Sequence, residues 1–442
     1  MQSLSPLKAP AARHYAWLTA AFAAFALYGS LVPFEFRPLP WAETQKRWAE
    51  VCAQPVRVES RSDWAANILL FVPLGFLGMA ALCSDRGRAA DWWAVPTAAA
   101  WACFSAFLEF SQLYFPPRDS SINDIAAESL GAAVGIAVWI AAGRPLTRRA
   151  REAWAGTETG GTALRLLSGY VVLLLVVQVF PPNLTISPVE LYHRYKAGLV
   201  RPVPFAFWAV DPRAGAKKMV EGAAWFLPLG LLASRLPRWR SGGGRSALEV
   251  LALGTFTAAS AEFLRLFVVT HSCDASDVAT NGLAVVGGWF AGLDARKSAF
   301  QRLAAGAWVI GLVYLNWLPF DFRFDGASWA RWREISWLPF VDYLQASYLE
   351  EAQGAADKVM QFLLLGALLA LAFRPRLASG WSALLASACL LAVLFEAGQL
   401  FLPTRYTSVT DVLVETTSAG LGVIVWSRIQ RWGVSPAALN SP

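Results

Sequence analysis

The chain has 442 residues, of which 56% are hydrophobic and only 16% charged, with 21 Trp and 27 Phe. An ordinary soluble domain carries about 25% charged residues; this composition excludes a soluble multidomain protein and points to an integral membrane protein with apolar runs long enough to cross a bilayer as helix. The formal charge of +7 comes without a basic run interleaved with aromatics, so no nucleic-acid partner is expected, and its source is read as Lys and Arg in cytoplasmic loops.

In chain order, the first apolar run spans 15–32 and follows Lys8 and Arg13. It is long and lacks a small-x-small cleavage site, so it reads as a retained transmembrane helix and not a secretory signal. Further spans are expected at 64–82, 92–114 and 123–142; at 164–181, 218–235, 247–268 and 276–293; and at 303–320, 356–373, 381–402 and 409–427. The long loops 34–63, 182–217 and 321–355 are rich in aromatics, as in "WARWREISWLPFVDYL" at 329–344, and should hold short helices lying in the membrane interface. The five cysteines and three histidines are scattered. Neither a disulfide framework nor a metal site is expected, and no cofactor is implied.

These spans repeat. "LEFSQLYFPPRDSSINDIAAESLGAAVG" (108–135) aligns without gaps with "AEFLRLFVVTHSCDASDVATNGLAVVGG" (261–288) and "FEAGQLFLPTRYTSVTDVLVETTSAGLG" (395–422). In each, Glu is followed 15 residues later by Asp and 11 after that by Gly: Glu109, Asp124, Gly135; Glu262, Asp277, Gly288; Glu396, Asp411, Gly422. Upstream lie "NILLFVPLGFL" (67–77), "GAAWFLPLGLL" (222–232) and "KVMQFLLLGAL" (358–368), and before those the turns "LVPFEFRP" (31–38), "VFPPNLTISP" (179–188) and "WLPFDFRF" (317–324). A fixed-period repeat defines the architecture: an all-α membrane protein of about twelve helices in three four-helix units, with limits 1–150, 151–298 and 299–442.

Topology follows from the short loops. Arg86 and Arg88; Arg144, Arg148, Arg149 and Arg151; Arg238, Arg240 and Arg245; Arg296, Lys297 and Arg302; Arg374 and Arg376; and Arg428 and Arg431 all fall on the side of Lys8 and Arg13. Both termini are therefore expected in the cytoplasm, with the three Glu-to-Asp corners outside.

On the helix that begins at Asp124, Glu128, Gly131 and Gly135 share one face. The equivalent faces read Asp277, Asn281, Ala284, Gly288 and Asp411, Glu415, Ser418, Gly422. Small residues at this spacing let another helix approach closely in lipid. The expected neighbour is the third helix of the unit, whose Ala102 and Ser105, Thr255 and Ala258, and Cys389 and Ala392 form a small face. Three residues after each Glu stand Gln112, Arg265 and Gln399, and nine after stand Arg118, His271 and Arg405. The candidate pockets are thus Glu109, Gln112, Arg118, Asp124 and Glu128; Glu262, Arg265, His271 and Asp277; and Glu396, Gln399, Arg405, Asp411 and Glu415. Clustered carboxylates suit proton transfer, an ammonium, a polyol or a divalent cation. The alternative is structural: Ser121 and Asp124 read as a capping box, Asp in a first turn favours the helix dipole, and Glu109 with Arg118 could fasten the turn. "PLG" at 73–75 and 228–230 reads as a kink.

The pattern of Asn67, Pro73 and Gly75, then Glu109 and Gln112, then Pro117 and Arg118, then Asp124 with Gly131 and Gly135, resembles the VanZ-like family. The third unit retains Glu396, Gln399, Arg405, Asp411 and Gly422, and the second departs most, with Arg265 and His271. The resemblance implies a multi-pass protein of the bacterial envelope, in the cytoplasmic membrane, from a family whose namesake is associated with teicoplanin resistance. It carries no catalytic residues over. The function expected is binding of a membrane lipid or peptidoglycan-related headgroup, or a contribution to glycopeptide resistance. The alternatives are an enzyme using Glu109/Asp124 and Glu396/Asp411 as acid–base pairs, a transporter or flippase, and a scaffold.

Overall fold

The computed structural model describes residues 10–32, 34–57, 61–116, 118–155, 161–179, 185, 187–293, 298–335, 337–341, 348–373 and 378–430. Lys8, Pro117, Arg296, Lys297, Arg374, Arg376 and Arg431, and most of the turn at 179–188, lie outside them.

The chain forms two compact units, Met1–Thr157 with Phe340–Glu351, and Glu158–Pro339 with Ala352–Pro442. The first contains α1 (Ala12–Leu31), α2 (Arg61–Cys83), α3 (Ala94–Gln112) and α4 (Ile122–Val138). The second contains α5 (Gly161–Val177), α6 (Pro212–Ala233), α7 (Gly244–Arg265) and α8 (Ala275–Gly292), together with α9 (Ser298–Trp317), α10 (Tyr348–Phe373) from Ala352 onward, α11 (Ala378–Gln399) and α12 (Val409–Ile429). The second and third repeats thus share one compact unit. Met360 of α10 belongs to the core built on Trp225, Phe226 and Leu229 of α6 and Val285 and Trp289 of α8.

The protein is helical and multi-pass. Among the described residues, seven helices are long and apolar enough to cross a membrane: Trp64–Cys83, Ile122–Arg151, Gly244–Arg265, Ser298–Trp317, Gln353–Phe373, Gly380–Gln399 and Val409–Ile429. Large apolar side chains such as Phe256, Leu303 and Ile310 point away from the protein on these helices, as a lipid-facing surface requires. The remaining principal helices stand where apolar runs are predicted, and Ala163–Val177 is a shorter apolar helix. The long loops carry the expected short helices, at Trp41–Ala53, Pro188–Lys196, Ala206–Val210 and Gly326–Ala330.

Two features depart from expectation. The helix that starts at Ile122 does not stop near 142. It passes through a π-helical turn at Trp139–Gly143 and continues as Arg144–Ala155. The extension is held by ion pairs that a free loop would not make: Arg144 Nη2 lies 2.7 Å from Asp91 Oδ1, Arg151 pairs with Asp85, and Arg151 Nε donates to the Pro10 carbonyl at 2.8 Å. The all-α fold also holds one parallel pair of two-residue strands, β1 (Val200–Arg201) on β2 (Cys273–Asp274).

The small face of α4 packs against α2, not mainly against α3. A Cβ on Gly131 would overlap the Ile68 carbonyl oxygen, and one on Gly135 that of Val72. Reciprocally, a Cβ on Gly75 would overlap the Ala132 carbonyl oxygen. The same exchange recurs between Gly230 and Val285 O, and Gly288 and Leu227 O, on α6 and α8. It recurs again between Gly366 and Ala419 O, and Gly422 and Leu363 O, on α10 and α12. The glycine, not the proline, of the "PLG" signature therefore carries the contact. Leu364 replaces the proline in the third repeat, yet Gly366 keeps the approach. The third and fourth helices still meet, as where Thr255 faces Gly282, but the closest backbone contact belongs to the second and fourth.

A threefold polar corner

Each corner is built by the same bonds. Glu109 Oε2 accepts the backbone N–H of Ser121 at 2.7 Å, Glu262 Oε2 that of Asp274 at 3.0 Å, and Glu396 Oε2 that of Ser408 at 2.8 Å. Each donor residue is the N-cap of the fourth helix, and its own side chain accepts from a backbone N–H two residues on. The residue before the cap closes the loop from the other side. Ser120 Oγ, Cys273 Sγ and Thr407 Oγ1 donate to the backbone carbonyls of Glu109, Glu262 and Glu396 at 2.8, 3.5 and 3.1 Å. A buried carboxylate from the third helix thus satisfies an N–H at the start of the fourth. The capping box read from Ser121 and Asp124 is corrected by this: the cap N–H that the box would assign to Asp124 goes to Glu109.

Freed from that task, the Asp reaches the second helix. Asn67 Nδ2 donates to Asp124 Oδ1 at 2.7 Å. Lys358 makes an ion pair with Asp411, and Lys218 Nζ lies 3.1 Å from Asp277 Oδ2, with Arg265 Nη1 at 3.8 Å. The two lysines were not singled out in the sequence, and Asn67 appeared there only as part of the family pattern. Asn67 and Lys358 occupy equivalent positions; Lys218 stands one turn earlier, opposite a different backbone register, so an ungapped alignment does not pair them.

The residues that follow each Glu tie the corner to the first helix of the repeat. Gln112 Nε2 donates to the Ser30 carbonyl at 3.3 Å, Gln399 Nε2 to Asn316 Oδ1 at 3.2 Å, and Arg265 Nη2 to Gln178 Oε1. Arg265 Nη1 also holds Glu262 Oε1 at 2.7 Å. Arg118 donates to the Val32 and Gly29 carbonyls at 3.0 and 2.9 Å, and Arg405 to those of Leu318 and Leu315 at 3.1 and 3.0 Å. These guanidiniums close the exposed carbonyls at the end of the first helix. His271 stands where they stand but has no such reach. It lies beside Arg194, which binds the Leu266 and His271 carbonyls, and burial together with Arg265 and Arg194 lowers its imidazole pKa to about 4.

One position keeps a side-chain oxygen without a hydrogen-bond partner in every repeat, although the Ser105 hydroxyl lies against the Glu128 carboxyl. Nineteen residues after the Glu stand Glu128, Asn281 and Glu415, exposed by 4%, 5% and 0%. Glu128 Oε2, Asn281 Oδ1 and both carboxyl oxygens of Glu415 have no hydrogen-bond partner among the described residues. Buried polar atoms are normally satisfied, so an orphan at one place in three copies calls for a donor.

A profile of one family matches this chain three times, over residues 8–143, 167–293 and 297–430. The chain belongs to the VanZ/LLP1 family. The three matches coincide with the three corners, each VanZ/LLP1 copy holding one complete set of Glu, cap, Asp and glycine seam. Comparisons with curated proteins and with solved structures find no match. The second VanZ/LLP1 copy opens into a cavity. Its volume is about 120 Å³, and Lys218, Arg265, Asp277, Asn281, Trp225 and Asp357 lie on its wall.

Proposed function

We propose that this VanZ/LLP1 protein spans the bacterial cytoplasmic membrane twelve times, as three four-helix units at 1–150, 151–298 and 299–442. Both termini lie in the cytoplasm and the three corners lie at the outer face. The corners bind the headgroup of an envelope component, a membrane lipid or a peptidoglycan-related one. Through that binding the protein contributes to the envelope's response to glycopeptides. The topology is supported by the Arg residues of the short loops that alternate in sequence with the corners, including Arg144 and Arg151 on the extension of α4. The binding role is supported above all by the buried acceptor that recurs without a partner at Glu128, Asn281 and Glu415. A purely structural corner would need Glu109, Glu262 and Glu396 but not these.

Native mass spectrometry of the detergent-extracted protein tests this reading. Wild type retains a defined lipid or lipid-linked species. The double variant Glu128→Gln, Glu415→Gln folds and loses most of that species. An unchanged lipid spectrum in the variant would count against headgroup binding.

A further inference from the structure

The helix that leaves the first corner outruns a bilayer. Its apolar span, Ile122–Arg151, has 30 residues, about 45 Å of helix at 1.5 Å per residue. A hydrocarbon core is about 30 Å thick, so roughly the last ten residues run into the headgroup layer at the end of α4 remote from the corner. This stretch is the extension Arg144–Ala155, beyond the π-helical turn. Arg144, Thr147 and Arg151, three and four residues apart, form its inward face. Arg144 pairs with Asp91, Arg151 with Asp85, and the Thr147 hydroxyl meets that of Tyr15 at 3.0 Å. The Ala12 N–H also donates to Asp85 Oδ2 at 3.0 Å. The start of α1, the turn at 84–93 and the extension are thus tied into one shelf.

That shelf is strongly basic. Over 10–18, 84–93 and 144–155 the sequence has seven arginines against Asp85, Asp91 and Glu152, a net charge of +4 with His14 neutral. Asp85 and Asp91 are spent on Arg151 and Arg144. Arg13, Arg86, Arg88, Arg148 and Arg149 are exposed. The second repeat neutralises its loop within the chain: its fourth helix ends at Gly292, and Arg238 and Arg245 both pair with Glu249. On the first repeat's shelf the clustered guanidiniums raise the local potential and favour an anion. The same elements expose apolar side chains, Trp92 at 60% and Leu146 at 44%, with the Trp92 ring stacked on Trp93 at 4.2 Å. A guanidinium binds phosphate through paired N–H groups, and an indole at a membrane interface sits at headgroup level. Free phosphate would use the arginines alone; a phospholipid uses both kinds of side chain.

We propose that this shelf is a docking surface for anionic phospholipid. The exposed arginines gather its phosphates, and its acyl chains pass over Trp92 and Leu146. Arg148 and Arg149, adjacent on the protruding turns of the helix, supply the charge that reaches furthest from the bundle. The surface lies at the other end of α4 from the corner. It shares the membrane-spanning fold with the headgroup reading of the corners and is otherwise independent of it.

The test titrates phosphatidylglycerol, with phosphatidylcholine as reference, into the full-length protein in detergent, and counts bound lipids by native mass spectrometry. Wild type should take up phosphatidylglycerol in preference. The double variant Arg148→Gln, Arg149→Gln should raise the half-saturating concentration at least about fivefold, whereas Arg148→Lys, Arg149→Lys, which keeps the charge, should stay near wild type. Trp92→Ala should weaken binding in the same direction. Unfolding temperatures in phosphatidylcholine alone should be equal for wild type and the two double variants, which controls for folding. Arg47→Gln, an exposed arginine on the loop helix at the corner end, should change nothing. Equal half-saturation in wild type and the Gln double variant, or an equal loss in Arg47→Gln, overturns the proposal. Displacement of the lipid by excess inorganic phosphate overturns its assignment as a lipid surface. The corner variant Glu128→Gln, Glu415→Gln should bind phosphatidylglycerol as wild type does, so the two readings fail separately; a parallel loss there would overturn the claim of a distinct surface.

Discussion

Glu396 Oε2 accepts the backbone N–H of Ser408 at 2.8 Å, across a corner that brings the end of α11 to the start of α12. The bond is buried, and its loss leaves an amide without a partner. Glu396→Ala should therefore destabilise the protein by about 1–3 kcal/mol. Glu396→Gln keeps a neutral acceptor and should recover about 0.5–1.5 kcal/mol of that. Denaturation midpoints of the two variants in detergent check the order. The Glu109 pair, with Ser121 as donor, should behave alike.

The glycine seam makes a sharper prediction. Gly135, Gly288 and Gly422 each face a backbone carbonyl that cannot retreat as a side chain can. Alanine at any of them forces two helices apart, at about 1–3 kcal/mol or more. Gly306 on α9 has nothing within 4 Å of the site of a Cβ, so Gly306→Ala should be neutral or stabilising by up to about 1 kcal/mol. Unfolding temperatures measured side by side discriminate the two classes.

The repeat, the order of its four helices and the position of each corner are all legible in the sequence, because Glu, Asp and Gly recur at fixed spacing. The partner of the small face is not. Helical spacing tells that Gly131 and Gly135 share a face, but not whether α2 or α3 lies against it. The donors to the Asp are hidden for a related reason. Asn67, Lys218 and Lys358 lie more than fifty residues from their partners in sequence, and Lys218 stands a turn out of register.

His271 gives a pH dependence with a definite sign. Burial and the nearby Arg265 and Arg194 lower its pKa to about 4, from 6.5 for the free side chain. Between those values the unfolded chain binds a proton that the folded one excludes, so stability rises with pH. The contribution is complete above about pH 6.5 and is lost as pH falls toward 4. For a half-buried ring, screened by solvent, it is on the order of 1 kcal/mol. Unfolding of wild type and His271→Gln across pH 4–7 isolates it: the wild type should lose stability more steeply on acidification.

Cys273 donates its thiol to the Glu262 carbonyl, and burial, with Glu262 beside it, pushes the thiol pKa up to about 11. A thiol so shifted holds little thiolate at pH 8. Cys273 should resist iodoacetamide in the folded protein, whereas the exposed Cys52 reacts. Peptide mapping after timed alkylation reads both, and denaturant should abolish the difference.

The proposed topology puts all three corners at the outer face of the membrane. Asp119, Thr270 and Tyr406 are exposed at those corners. Placed singly as Asp119→Cys, Thr270→Cys and Tyr406→Cys in a background without the native cysteines, all three should be labelled by a membrane-impermeant maleimide in intact cells. Cysteine at Arg240, on the opposite loop, should react only after permeabilisation. Labelling of the three corners from different sides, or from the cytoplasm, would contradict the account.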